Sequence, residues 1–283
     1  MTIRALPGTS SSRLIEQIEG AHTGLINVRG QAHTAFDLHN AYRGWANEQV
    51  RMLRHTLTPA ALDQIVTTRR HWALVALDPT TMGNALAPFV ESEIDDQTQV
   101  IEAELAALLR ALDLYSTVDA LVAPDTNVYA KGIVPWDHVP WERHANAGEK
   151  HLRLVIPMLV IDELDRLKDR GPNEKGKDDG LSVRNRSRRS LHTMEQLFRN
   201  PDDPVVLTTG GVTVTASVVF DDFGHQRLPD ADDEIVDRVR KAADLGARPA
   251  TIVSDDFGMR FRARMAGLRA AEPWAPTPTS PAD

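Results

Sequence analysis

Three times in this sequence an apolar run suited to a buried strand ends on a carboxylate, and a helical pattern follows. The runs are Leu121-Val122-Ala123-Pro124 before Asp125, Val160-Ile161 before Asp162 and Glu163, and Ile252-Val253-Ser254 before Asp255 and Asp256. A fourth segment, Pro229-Asp230-Ala231-Asp232-Asp233-Glu234-Ile235, opens a helix with acids. Strands alternating with helices build an open α/β sheet, and such sheets bind ligands just beyond the carboxyl ends of their strands. Acids far apart in the chain are therefore expected to meet in one crevice. Carboxylates held together repel, and must take up protons or bind a cation. With Asp and Glu as the ligands on offer, that cation is a hard one, Mg2+ or Mn2+. The chemistry implied is that of a metal-dependent phosphodiesterase.

Composition narrows the alternatives. The chain of 283 residues has no cysteine, which removes disulfides, zinc–thiolate sites and thiol catalysis. Its formal charge of −8 argues against a generally basic surface, so nucleic acid would need a local patch. No apolar run approaches the roughly 20 residues of a membrane helix, and the first residues lack a signal-peptide core. A cytoplasmic protein without membrane contact is expected.

Residues 1–117 read as an α-helical domain. Helical spacing runs through Phe36, Leu38, Tyr42, Trp45, Val50, Leu53 and Leu57, then over Pro59 to Leu77, then from Ile94 to Tyr115. Its histidines, His22, His33, His39, His55 and His71, lack the i, i+4 pair with an acid that marks a zinc helix, and are read as packed or solvated. From Val118 the period changes. Leu152 to Ile161 reads as a central strand running into a helix at Glu163, and residues 171–180 as a loop. A helix is expected from Leu181 to Asn200, halted by Pro201. Strands follow over Val205 to Leu207 and Val212 to Phe220, with Thr209-Gly210-Gly211 as the turn. A helix over Asp232 to Leu245, a strand over Thr251 to Val253 and a helix from Phe257 to Ala266 complete the domain, and residues 272–283 form a proline-rich tail.

Residues 118–271 resemble a PIN domain, a nuclease family. The likeness rests on Val122-Ala123-Pro124-Asp125-Thr126-Asn127, Trp136-Asp137-His138-Val139-Pro140-Trp141, and Val160-Ile161-Asp162-Glu163-Leu164-Asp165-Arg166-Leu167-Lys168. The Asp232-Asp233-Glu234-Ile235 helix start and Val253-Ser254-Asp255-Asp256 complete it. It is similar to a bacterial branch found beside phosphate-starvation-type ATPases, although no Walker-type loop occurs here. The resemblance implies an α/β fold, a PIN-like parallel sheet flanked by helices, after the all-α domain. It also implies cleavage of single-stranded RNA under Mg2+ or Mn2+. Asp125, Glu163, Asp232 and Asp256 correspond to the family's acidic residues, with Asp233 competing for the place of Asp232. Thr126, Asn127, Asp233, Ser254 and Asp255 would orient waters or carboxylates around them.

Asp232, Asp233 and Asp256 each also have a plain structural reading, because Asp at a helix start caps it and contributes on the order of 1 kcal/mol; that reading explains Asp125-Thr126-Asn127 less well. Between Arg166 and Ser190 nine Lys or Arg stand against four acids, enough local charge to hold phosphates. Arg166, Lys168, Arg184, Arg186, Arg188 and Arg189 are the candidates for that contact. Trp136 and Trp141 are read as loop anchors rather than base-stacking platforms. The competing functions are a non-cleaving RNA-binding or scaffold protein with a PIN-like fold, and a different metal phosphohydrolase. The sequence is compatible with a homo-oligomer and leaves the partner of the helical domain open.

Overall fold

The computed structural model describes residues 5–6, 9–174, 180–200, 203–208, 210–221 and 225–273. The expected turn residue Thr209, the helix stop at Pro201, much of the 171–180 loop and nearly all of the tail lie outside them. Chain contacts divide the protein into two compact units after Leu112.

The first unit is helical. It comprises α1 (Ser11–Val28), α2 (Ala35–Leu53), α3 (Pro59–Ile65), α4 (Arg69–Ala76), α5 (Pro79–Met82) and most of α6 (Leu86–Ser116). Thr34 and Asp37 close a capping box at the start of α2. The single helix expected over Pro59 to Leu77 is two, because Thr68 caps a new start on the His71 N–H at 3.0 Å. His39 and His71 are buried and hydrogen-bonded, to the Leu74 carbonyl at 3.0 Å and the Tyr42 hydroxyl at 3.1 Å. Among the described residues no helix is long and apolar enough to cross a membrane.

The second unit is a six-stranded sheet flanked by helices. Its strands are β1 (Ala120–Pro124), β2 (His151–Pro157), β3 (Val205–Thr208), β4 (Thr213–Val219), β5 (Ala250–Val253) and β6 (Arg269–Ala271). The order is β3-β4-β2-β1-β5-β6. All neighbours are parallel except the edge strand β3, which runs antiparallel to β4. The helices are α7 (Thr126–Lys131), α8 (Met158–Arg170), α9 (Val183–Leu197), α10 (Ala231–Gly246) and α11 (Phe257–Met265). β1 and β2 are buried along nearly their whole length, as central parallel strands should be. From β1 the chain passes to β2 on one side and later to β5 on the other. That reversal opens a crevice at the carboxyl ends of β1 and β5.

Two features of this unit depart from the sequence reading in kind. β2 stops at Pro157, which precedes the first turn of α8, so Leu159 and Val160 are the buried face of a helix rather than the end of a strand. β6 was not anticipated; its three residues carry no periodicity long enough to read. Trp136 and Trp141 anchor the loop after α7: both are buried, and Trp141 donates its indole N–H to the Trp136 carbonyl at 2.7 Å.

Candidate active site

Parallel pairing sets the first contact. β1 and β5 are in register with Pro124 opposite Val253, so the next residues, Asp125 and Ser254, lie side by side. The Ser254 hydroxyl donates to Asp125 Oδ2, and the Val128 N–H donates to Asp125 Oδ1 at 3.1 Å. Asp125 therefore caps α7 while pointing into the crevice. It is only 4% exposed. Burial pushes its carboxyl up to about 6 against the pull of the Ser254 and Val128 hydrogen bonds, with repulsion from Asp255 and Asp232 adding to the rise.

The other acids arrive on helices. Glu163 lies in the second turn of α8, and Thr126 donates its hydroxyl to Glu163 Oε2. Asp232 lies in the first turn of α10, whose cap is Asp230: its Oδ1 accepts the N–H groups of Asp232 at 3.0 Å and Asp233 at 3.2 Å. Sequence reasoning missed Asp230 as the cap, although an Asp just before an acid-rich helix start was the signal for it. Because Asp230 satisfies those donors, the Asp232 side chain is free of capping. Its carboxyl is raised chiefly by burial, opposed by Arg262, and raised further by repulsion from Asp230, Asp256 and Glu163. Asp256 caps α11, accepting from Gly258 N–H at 2.6 Å, and its own N–H donates to Ser254 Oγ at 2.9 Å.

Asp125, Thr126, Asn127, Glu163, Arg166 and Asp232 line one cleft of about 290 Å3. Asp256 stands at its side, close enough to act on Asp232. Asp233 turns to Arg262 at 2.9 Å, and Asp255 is exposed next to the cap. The possible ligand atoms of the cleft are hard oxygens, with Arg166 at its lining, and the hydrogen bonds to the buried Asp125 come from a hydroxyl and a backbone N–H rather than a cation, so the donor set fits Mg2+ or Mn2+. The carboxylates are not drawn as tightly together as the trio Asp221, His225 and Glu234, whose ligand atoms lie within 4.8 Å of one another. That trio is a poorer cradle. Glu234 is fully buried and already accepts from His225 at 2.8 Å and Leu228 N–H at 2.8 Å, while the Arg238 guanidinium lies 3.2 Å away. A cation entering there would face that arginine, as one near Asp232 would face Arg262; the two sites differ in that Glu234 already sits beside a guanidinium, whereas Asp125 accepts from a hydroxyl and a backbone N–H.

The expected basic face is dispersed by folding. Of the six candidates only Arg166 lines the cleft. Arg186 is buried. Arg184 and Arg189 donate to the carbonyls of Gly171 and of Gly132 and Ile133. Lys168 pairs with Asp165 at 2.5 Å and Arg188 with Asp169 at 3.7 Å. Arg262, on α11 and outside that segment, reaches Asp232 at 3.2 Å.

A family model described as PIN domain matches residues 122–273, just over half of the chain. No curated protein matches it. Among solved structures, a tetrameric eIF2B-beta2-delta2 complex from C. thermophilum is similar over 93% of this chain and 80% of that one, at 9% identity and a TM-score of 0.23. A likeness that weak carries no argument.

Proposed function

The chain belongs to the PIN-domain family, generally one of nucleases, and from that premise we propose that it is a Mg2+- or Mn2+-dependent endoribonuclease acting on single-stranded RNA. The observation that carries this reading is the gathering of Asp125, Glu163 and Asp232 on one cleft at the carboxyl ends of β1 and β5. Asp125, Glu163, Asp232 and Asp256 are the residues that would hold the ion, with part of its shell left to water, as Mg2+ prefers. A divalent ion bound there supplies a water of lowered pKa and neutralises phosphate charge. Ser254 and the Val128 N–H fix the Asp125 carboxylate in place. Thr126 holds one oxygen of Glu163 and leaves the other for a ligand or a water. Arg166, exposed and lining the cleft, would be the residue to meet a phosphate.

The direct test is cleavage of end-labelled single-stranded RNA. Cleavage is expected with Mn2+ and is abolished by EDTA. Binding without cleavage in Mn2+ would replace this reading with that of a non-cleaving RNA-binding protein.

The pH dependence follows from Asp125. An ion takes the ionised carboxylate, which predominates above a pKa of about 6 and gives way to the neutral acid below it. Mn2+ affinity measured by calorimetry is therefore expected to level off above neutrality. It should fall about tenfold for each pH unit below 6. An affinity unchanged between pH 5 and 7 would show that Asp125 is not a ligand.

A further inference from the structure

α11 is apolar on two opposite sides. Met259 and Ala263 face the core and are fully buried. Two residues out of phase, hence across the helix, Phe257, Phe261 and Met265 are 68%, 53% and 76% exposed. A surface helix needs one apolar stripe to hold it to its domain, and the second does nothing for the fold. The second stripe is also ordered within itself: the Phe257 and Phe261 rings stack with centroids 6.1 Å apart and planes 23° from parallel. The helix carries Arg260, Arg262 and Arg264 and no acid, and Arg264 is exposed beside Phe261 on the same face. It begins at Asp256, and its Arg262 reaches the Asp232 that lines the cleft.

From this juxtaposition we propose that the Phe257–Phe261–Met265 ridge is a stacking platform for unpaired bases of the nucleic acid strand that enters the acidic cleft. The proposal rests on the nuclease reading and names how that site tells a single strand from a duplex. An aromatic face accepts any base that is not already stacked in a helix, so it selects for single strands without reading sequence. Arg260 is held by Glu272 at 2.9 Å and Arg262 by Asp232 and Asp233, so the exposed Arg264 beside Phe261 supplies the complementary charge for a phosphate between stacked bases. A second copy of this chain fits the ridge less well. Three side chains supply roughly 400 Å2 of contact, about half of what a stable dimer asks of each partner.

The test is binding of a short fluorescein-labelled oligoadenylate to the full chain in EDTA, where cleavage is off, followed by anisotropy. The variant Phe257→Ser with Phe261→Ser changes exposed residues and is expected to keep the wild-type unfolding midpoint while its Kd rises about 10- to 100-fold. Stacking carries no charge, so the slope of log Kd against log salt should stay as in the wild type. An abasic strand of the same length should bind both proteins equally. Phe257→Trp with Phe261→Trp should retain affinity and show tryptophan quenching when the strand is added. Equal affinity of wild type and serine variant for oligoadenylate overturns the proposal, as does no binding by the wild type at low salt. So does a wild-type dimer in sedimentation that the serine variant splits. Mn2+-dependent cleavage by the wild type with an unchanged Kd in the serine variant would sink the ridge and leave the nuclease reading standing. A weakened serine variant with no cleavage by the wild type would do the reverse.

Discussion

Replacing Asp125 with Asn is expected to abolish Mn2+-dependent cleavage and, in the same protein, to stabilise the metal-free fold. The loss of activity should be at least about a thousandfold, since the site gives up a carboxylate where several kcal/mol of charge stabilisation are at stake. The gain in stability comes from the burial of Asp125. Its carboxyl is raised to about 6, so the stabilising neutral form is fully present below its ordinary value near 3.8 and is lost as pH rises through 6. At pH 7 the ionised group costs about 3 kcal/mol. Asn is neutral throughout and accepts from the Val128 N–H as Asp does, so the variant should gain about 1–3 kcal/mol at pH 7 in EDTA and little at pH 4. Urea unfolding at the two pH values measures this. A variant less stable than the wild type at pH 7 would show that the buried charge is not penalised. Mn2+ should raise the melting temperature of the wild type and leave that of Asp125→Asn unchanged.

The second large effect concerns the buried network behind α10. Arg238→Met keeps most of the side-chain volume and removes the guanidinium 3.2 Å from Glu234, a carboxylate with no solvent exposure. Glu234 would keep the His225 and Leu228 donors but lose its guanidinium, so the loss is expected near the low end for breaking a buried pair, about 3 kcal/mol. The double variant Glu234→Gln with Arg238→Met should recover part of that loss, because the stranded charge is gone. If the single variant unfolds with wild-type stability, the network is not what holds the start of α10. The Asp125→Asn protein separates this structural role from a metal role. Were Mn2+ still to stabilise it, Asp221, His225 and Glu234 would be holding an ion, against the reading of that trio as a packed ion-pair network.

Much of the candidate site was legible in the chain because its signals are local. Asp125 and Asp256 each follow a short apolar run and each begin a helix, and both cap one in the structure. The same two residues thus satisfy the plain reading and line the crevice or its side, so capping and ligation were never exclusive alternatives. Glu163 was legible as a residue but not as a position. The apolar run before it is interrupted by Pro157, and an apolar segment of that length reads equally as a strand end or a buried helix face. Asp232 against Asp233 was open in the sequence, since both lie in one helical turn. The Arg262 guanidinium touches both, and only Asp232 lines the cleft.

The basic segment shows where local reading fails. Charge density along the chain predicts a patch only if the side chains share an exposed face. Here α9 packs one side inward, burying Arg186 and spending Arg184 and Arg189 on backbone carbonyls. The exposed stripe of α11 shows the converse: nothing local says which of two apolar faces the sheet will cover, and Phe257, Phe261 and Met265 stay in water.

By itself the amino-acid order determined the alternation of strand and helix, the acids at the strand ends and the hard-oxygen character of any ion they hold. Those properties depend on neighbours a few residues apart. The tertiary structure decided which acids meet, which arginine reaches them and which aromatics stay in water. Each of these depends on the parallel register of β1 with β5 and on how α8, α10 and α11 pack beyond it, contacts that join residues 129 positions apart at Asp125 and Ser254, 37 at Thr126 and Glu163 and 30 at Asp232 and Arg262, which no local pattern encodes.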